Sequence, residues 1–110
     1  MPKTKTELMR GTLDLMILRT LELQPLHGAA IGERIEQTTR RTFQVKAGSL
    51  FPALHRLEQQ GLIANEWTES ADKRRVKSYV LTASGRRRLS SEKASWKRIV
   101  AAMSQLLEST

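Results

Sequence analysis

The stretch AGSLFPALHRLEQQGLIANEWTESADKRRVKSYVLTASG, residues 47–85, decides the fold. Its first third predicts an amphipathic helix, because apolar residues recur at i, i+4 and i+7, at Leu50, Leu54 and Leu57. Ser49 is expected to cap the N-terminus of this helix, with Pro52 in the first turn, where a missing N–H leaves no helical bond unmade. Gly61 is expected to end the helix in the left-handed conformation.

The rest of this stretch predicts a β-hairpin with a basic tip. Two runs of apolar residues indicate half-buried strands: Leu62, Ile63 and Trp67 in one, and Val76, Tyr79 and Leu81 in the other. The connection ESADKRR contains turn-forming residues and a group of cations that no packing requirement explains. A helix followed at once by a basic hairpin is typical of a winged helix-turn-helix domain that grips duplex DNA. The stretch therefore favours sequence-specific DNA binding.

A first core helix is predicted near the N-terminus. It runs from Glu7 or Thr12 to Leu23, and Pro25 forbids its continuation. The apolar stripe of this helix comprises Leu13, Leu15, Met16, Ile17, Leu18 and Leu21. Residues 1–5 are expected to form a frayed polar leader.

A second, shorter helix is predicted from roughly Ala29 to Thr39, with Ile31 and Ile35 on one face. After it, residues 42–46 alternate between apolar and polar side chains in period two. That alternation predicts a brief strand that pairs with the later hairpin.

The C-terminal segment predicts a long helix that is capped by Thr82 and runs nearly to the last residue. Its apolar residues have the spacing of a heptad seam, at Leu89, Trp96, Ile99, Met103 and Leu106, with Val100 and Leu107 beside them. Because the helix starts beyond the last predicted strand, this stripe needs a partner that the small core does not supply. We expect the partner to be the same helix of a second chain, so that Leu89, Trp96, Ile99, Val100, Met103 and Leu106 form a homodimer interface.

Composition limits the function classes. With 110 residues, 39% of them hydrophobic and 27% charged, the chain suits one small domain with an appendage and has little room for a large catalytic cleft. The net charge of +8 predicts attraction to polyanions. The lack of cysteine excludes disulfides, thiol chemistry and zinc fingers. No secretion signal and no membrane-spanning run is seen, so we expect a soluble, cytoplasmic protein that does not enter a membrane.

Candidate DNA contacts fall on the third helix and on the hairpin. Lys46 or Arg56 could pair with guanine acceptors, whereas Ser49 and Gln59 could reach base edges or phosphate oxygens. For Arg56 the alternative is a solvated helix face. The candidates for phosphate contact on the hairpin are Lys73, Arg74, Arg75 and Lys77, and the alternative is a solvated loop. Three more cations, Arg86, Arg87 and Arg88, open the last helix, where they oppose its dipole and indicate a phosphate partner. For Arg87 and Arg88 the alternative is a solvated side chain.

The sequence contains no residue pattern that indicates metal binding or catalysis. His27 and His55 lack acidic or sulfur ligands at the spacing of a metal site, so we expect a turn histidine and a helix-surface histidine. The carboxylates fall mainly on predicted outer helix faces, and no nucleophile, phosphate-cradling glycine loop or acid pair emerges. We expect no enzyme activity, no metal and no cofactor.

Several motifs in order along the chain resemble the PadR family of bacterial transcriptional regulators. They are HG followed by AIGERI, then GSLFPALHRLEQQGLI, RRVKSY and LTASGRRRL, and together they cover nearly the whole chain. The resemblance implies that the third helix is the recognition helix and that the wing contacts the adjacent backbone or minor groove. It also implies a short family member that dimerises through one C-terminal helix and reads an inverted repeat.

Three positions depart from the family pattern. Ala29 and Phe51 stand where tyrosine is common, and Ala47 replaces a frequent proline. Phe51 keeps the ring that the resemblance places among the DNA contacts but lacks the hydroxyl that could reach a phosphate.

We therefore expect a mainly α, α+β fold: a winged helix-turn-helix DNA-binding domain at residues 1–81 and a dimerisation helix at residues 82–110. The expected function is a homodimeric regulator, a repressor that occludes a promoter by binding a palindromic operator. Trp96 and Met103 could also line a site for a flat aromatic effector at the dimer interface, the alternative being ordinary packing. One alternative function is an RNA-binding winged helix, which explains the charge equally well. The other is a protein-interaction module that uses the winged helix as a scaffold, for which we would expect an exposed apolar patch and weak salt dependence.

Overall fold

A computed structural model describes the backbone of residues 5–110 and the side chains of residues 11–110. Its elements follow in the order α1 (Lys5–Leu23), β1 (Leu26–His27), α2 (Gly28–Thr38), α3 (Ala47–Gln59), β2 (Ile63–Glu69), β3 (Arg75–Leu81) and α4 (Ala83–Glu108). The predicted frayed leader lies outside the described residues except for Lys5, which begins α1.

The core lies where α1, α2 and α3 meet the base of the hairpin. Its buried apolar residues are Leu13, Ile17, Leu18, Leu21, Ile31, Ile35, Leu50, Ala53, Leu54, Leu57, Leu62, Ile63, Tyr79, Leu81 and Leu89. Most of them lie at the periodic positions of the predicted helices, because a helix presents every third or fourth side chain to one side.

The sheet has three antiparallel strands in the order β1-β3-β2. In the hairpin, Ile63 pairs with Leu81 and Glu69 with Arg75, and on the other side of β3, Leu26 pairs with Tyr79. The strand predicted at residues 42–46 is wrong, since these residues form a loop and the third strand is Leu26–His27. Phe43 and Val45 are apolar because they pack on the core from this loop.

Helix α3 begins three residues earlier than predicted. Lys46 is the N-cap, its backbone is extended, and its carbonyl accepts from the N–H of Leu50 at 2.9 Å. Ser49 is therefore not the N-cap, and Pro52 lies inside the helix. The C-terminus is as predicted: Gly61 has φ 74° and forms a Schellman motif with the last turn.

Helix α4 is anchored to the core by its first turns. The Thr82 hydroxyl accepts from the N–H of Gly85 at 3.0 Å and donates to the carbonyl of Gly61 at 2.7 Å. Leu89 is fully buried, and Lys93 pairs with Glu22 on α1 at 3.1 Å. The first turns of α4 therefore pack on the same core as α1 and the base of the hairpin.

Candidate nucleic-acid interface

The recognition-helix candidate α3 has one buried face and one exposed face. Leu50, Ala53, Leu54 and Leu57 are buried, whereas Lys46, Ser49, Phe51, His55 and Gln59 are exposed. The exposed set includes most of the predicted helix contacts. Its only formal cation is the N-cap Lys46, whose side chain makes no capping bond.

Phe51 lies over the start of α2. A methyl group at Gly28 would approach the Cε1 atom of Phe51 to 2.7 Å, so the ring covers a position where only glycine fits. Phe51 is nevertheless 48% exposed, which leaves part of the ring open to a ligand of the helix-turn-helix unit.

Arg56 does not share the exposed face. Its Nη2 atom lies 2.5 Å from the Oδ1 atom of Asp14 on α1, and both side chains are about one quarter exposed. The ion pair joins α3 to α1, an arrangement that the sequence analysis did not predict for Arg56. Base contact by Arg56 stays a prediction.

The tip of the wing is a tight turn that is rich in polar bonds. The Ser70 N–H donates to the Arg74 carbonyl at 2.8 Å, the Lys73 N–H donates to the Ser70 carbonyl at 2.9 Å, and the Ser70 hydroxyl donates to Asp72. Lys73 has φ 62° and is exposed. Arg74 approaches Asp72 at 3.5 Å, but with its side chain 83% exposed this ion pair is weak.

Arg75 lies over the ring of Trp67 across the hairpin, with its guanidinium carbon 5.2 Å from the ring centre. Trp67 belongs to the predicted strand but is 58% exposed, so its side chain is not part of the buried face of that strand. The pair forms a flat cationic surface on the wing.

Lys77 lies closer to the domain than the other wing cations. Its Nζ atom is 3.6 Å from the Oε1 atom of Glu58 and 5.4 Å from the centre of the Tyr79 ring. This contact joins the hairpin to the last turn of α3. The phosphate contact of Lys77 stays a prediction.

Glu36 is a residue that the sequence analysis did not single out. Its Oε1 atom accepts from the N–H of Val45 at 2.8 Å and so fixes the loop that leads into α3. No sequence period could have indicated this role, because the donor is a backbone N–H nine residues along the chain.

The C-terminal part of α4 carries an exposed apolar stripe, which we call the α4 seam: Trp96, Ile99, Val100, Met103, Leu106 and Leu107, each between 46% and 77% exposed. Leu89, predicted to belong to the dimer interface, is not available to a second chain, because it is completely buried in the core. That prediction is wrong.

The arginines that open α4 have local partners in part. Arg87 donates to the Ser84 hydroxyl at 3.1 Å, and Arg88 pairs with Glu92 at 2.9 Å. These contacts favour a solvated helix surface for both side chains.

The histidines have the roles expected of surface residues. His27 is the N-cap of α2, where its Nδ1 atom accepts from the N–H of Ala30 at 3.4 Å, and His55 is exposed. Among residues 11–110, no group of three or more histidines and carboxylates lies close enough to hold a metal ion. No helix within residues 5–110 has the length and apolar content that crossing a bilayer requires.

Comparison with known proteins gives a consistent result. Residues 17–91 match the transcriptional regulator PadR-like family. The transcriptional regulator Rv3488 of Mycobacterium tuberculosis is 32% identical over 87 residues, which cover 79% of this chain and 78% of that protein.

Solved structures agree with the fold described above. A crystal structure of a PadR family transcriptional regulator from Eggerthella lenta has a TM-score of 0.79 and 33% identity, and covers 96% of this chain and 89% of that chain. A PadR-like transcriptional regulator from Bacillus cereus has a TM-score of 0.83 at 23% identity, covering 94% and 99% of the two chains, and shows the fold alone. The predicted winged-helix fold is confirmed.

Proposed function

The chain belongs to the PadR-like family of transcriptional regulators, and from this premise we propose that it is a homodimeric repressor of a palindromic operator. Membership makes the chain a DNA-binding regulator and not an enzyme, as the sequence motifs implied. The repressor role, the dimer and the operator symmetry are our proposal. A protein with this function works in the cytoplasm, where bacterial DNA lies.

The observation that carries the proposal is how the cations are distributed around α3. Arg56 and Lys77, which lie near the body of the domain, face carboxylates at short distance. Lys46 at the start of α3 and Lys73 on the wing tip are exposed and form no ion pair within residues 11–110. Exposed cations without carboxylate partners are available to phosphates, whose counterions they displace.

Within this proposal α3 enters the major groove and the wing follows the backbone. Lys46, Ser49 and Gln59 contact base edges or phosphates from the exposed face of α3, and the ring of Phe51 packs beside them. The wing contributes phosphate contacts, and its contact residues are Lys73, Arg74 and Arg75.

The α4 seam supports the dimer. An exposed stripe of six large apolar side chains on one helix face is costly in water, and an identical helix related by two-fold symmetry would cover it. Two-fold symmetry then places the two recognition helices about 34–36 Å apart, one turn of the duplex, so each subunit reads one half of an inverted repeat.

The same interface is the proposed effector site. Trp96 is 47% exposed and Met103 50% exposed, so in a symmetric pair their copies could hold a flat aromatic compound between them. Planar aromatic compounds should quench the tryptophan fluorescence of the wild type and of Trp67→Ala but not of Trp96→Ala. Equal quenching in the two variants would remove the effector site from the proposal.

The deciding experiment is selection of bound duplexes from a random library by the full chain. A symmetric consensus with half-sites one turn apart is expected. Structured RNA as a competitor tests the RNA-binding reading, which predicts that RNA displaces the selected duplex. Recovery of no consensus at all would contradict the proposed function.

The wing assignment has its own test in a salt series. Lys73→Asn combined with Arg74→Gln should make the slope of log affinity against log salt shallower by about 0.9 for each phosphate contact that is lost. The control is Lys97→Gln combined with Arg98→Gln, which removes the same charge from the exposed side of α4. Equal slopes for the two variants would mean that the loss of net charge, and not the loss of phosphate contacts by the wing, weakens DNA binding.

A further inference from the structure

Helix α2 ends in a backbone geometry that glycine usually provides. Arg40 has φ 51° and Arg41 has φ 62°. The Arg40 N–H donates to the Gln37 carbonyl at 3.1 Å and the Arg41 N–H to the Glu36 carbonyl at 2.7 Å, which is the Schellman pattern. Helix α3 ends in the same pattern with Gly61 in the place that Arg40 occupies here. Two arginines thus stand where a residue without a Cβ atom is less strained.

The bonds of this turn bring the two arginines to the start of α3. Glu36 accepts from both ends of the loop, through its carbonyl from Arg41 and through its carboxylate from Val45. The backbone of Arg41 and that of Val45 therefore lie against a single residue. Lys46, the N-cap of α3, is the next residue after Val45.

Arg40, Arg41 and Lys46, which we call the α2–α3 corner, have no carboxylate partner among the side chains that the structure describes. Arg40 and Arg41 are exposed, as is Lys46, and none of the three forms an ion pair within residues 11–110. The Glu36 carboxylate on α2 accepts from the N–H of Val45 and forms no ion pair with these three cations. Within residues 11–110 the α2–α3 corner is therefore an exposed cationic surface without an ion-pair partner.

We propose that Arg40 and Arg41 form a phosphate-binding site for the backbone of duplex DNA, at the end of α3 opposite to the wing. The Lys77–Glu58 ion pair lies between the hairpin and the last turn of α3, whereas the loop that contains the two arginines leads into the first turn of α3. Cations then lie near both ends of α3, so each subunit contacts phosphates on both sides of one groove. The inference rests on the proposed DNA binding and adds a contact site that the sequence analysis did not name.

The test replaces both arginines with glycine, Arg40→Gly and Arg41→Gly, in the full chain. Glycine accepts φ near 60°, so the thermal unfolding midpoint should stay unchanged or rise. Affinity for a random-sequence duplex of a few helical turns should fall, and the salt slope should become shallower by about two per subunit, because each lost phosphate contact contributes about 0.9. The measurement is fluorescence anisotropy over a salt series.

Two control variants separate the site from general effects. Arg40→Lys with Arg41→Lys keeps both charges and should retain the wild-type slope. Lys97→Gln with Arg98→Gln removes the same charge elsewhere and should change the slope little. If the glycine variant and the Lys97/Arg98 variant have equal slopes, the phosphate site is overturned. Failure of the wild type to select any sequence from a library is a separate result, which overturns the proposed function.

Discussion

Cationic residues on or beside α3 differ in what surrounds them. Lys46 is exposed and bonded to no carboxylate among residues 11–110, whereas Arg56 reaches Asp14 on another helix. The sequence contains no signal for this difference, because Asp14 and Arg56 are 42 residues apart. Their pairing depends on how α1 and α3 cross in the core, and helical periodicity does not specify that crossing.

The Arg56 ion pair should contribute to stability and little to DNA binding. In a double-mutant cycle with Asp14→Asn and Arg56→Gln, we expect a coupling of about 0.5–1 kcal/mol, reduced by partial exposure of both side chains. Urea unfolding of the wild type, the two single variants and the double variant measures it. Arg56→Gln should also leave the DNA salt slope nearly as in the wild type, and a loss of slope matching that of the wing variant would assign Arg56 to the DNA surface.

Gly85 is required by a close approach of backbones. A Cβ atom there would lie 2.0 Å from the Leu62 carbonyl oxygen and 2.6 Å from the Leu81 side chain. Gly85→Ala must therefore shift α4 away from the core, and we expect a loss of about 2–4 kcal/mol in unfolding free energy. Gly11→Ala is the matched control, since among the described residues a Cβ placed there meets no atom outside the backbone of its own helix within 4 Å. The helix should gain up to about 1 kcal/mol. Equal thermal midpoints would contradict the close approach.

At the scale of elements, the periodicity of apolar residues predicts the helices and the hairpin but not the two-residue strand β1 or the start of α3. In α1, α2 and α3 the apolar residues recur often enough for their spacing alone to predict the buried face. Strand β1 has two residues, too few for an alternating pattern, and its pairing with β3 is decided by where α1 ends. The start of α3 was misplaced because Lys46, a residue with no capping side-chain bond, takes the N-cap position in place of Ser49.

Helices α1 and α4 are joined at their surface by Glu22. Arg19 and then Lys93 donate to its carboxylate, at 2.5 and 3.1 Å, and lower its pKa below the ordinary value of 4.5. A carboxyl with a lowered folded-state pKa stabilises the fold above its unfolded pKa, and this contribution is lost as pH falls through the folded pKa. The cluster is largely solvated, so the contribution is small, roughly 0.5 kcal/mol.

Unfolding by urea at a series of pH values tests this contact. Between pH 6 and about 4.5 the wild type should keep its advantage over Glu22→Gln, and below that range the two stabilities should converge. An advantage that persists unchanged down to the lowest pH would show that the charge on Glu22 plays no part.

At the scale of the whole molecule, α4 divides into a buried beginning and an exposed end. The helix has 26 residues, and the molecule is 60 Å long but only 28 Å and 26 Å in its other dimensions. The heptad spacing read from the sequence joined Leu89 to the seam, because spacing along one helix cannot tell a core contact from a contact between chains. Candidate interface residues were otherwise those that the fold leaves exposed.

This division predicts different results for two kinds of variant. Leu89→Ala should lower the unfolding free energy by about 2–5 kcal/mol, because it opens a cavity in the core of each protomer. Ile99→Glu with Met103→Glu should leave the protomer folded and abolish the proposed dimer, since both side chains are half exposed. Sedimentation with circular dichroism separates the outcomes, and a double variant that remains dimeric would exclude the α4 seam as the interface.

The unbroken course of α4 has a consequence for the spacing of half-sites. After Gly85 the helix contains no glycine or proline, so between Leu89 and Leu106 it bends only gently. In the proposed dimer, α4 therefore joins each winged-helix domain rigidly to the dimer interface, without a hinge. Inserting one base pair between half-sites moves one of them by about 3.4 Å and turns it by roughly 35°. A rigid dimer cannot adjust to this displacement, whereas a dimer whose domains are joined by flexible linkers could. Operator affinity should therefore fall sharply with every inserted or deleted base pair.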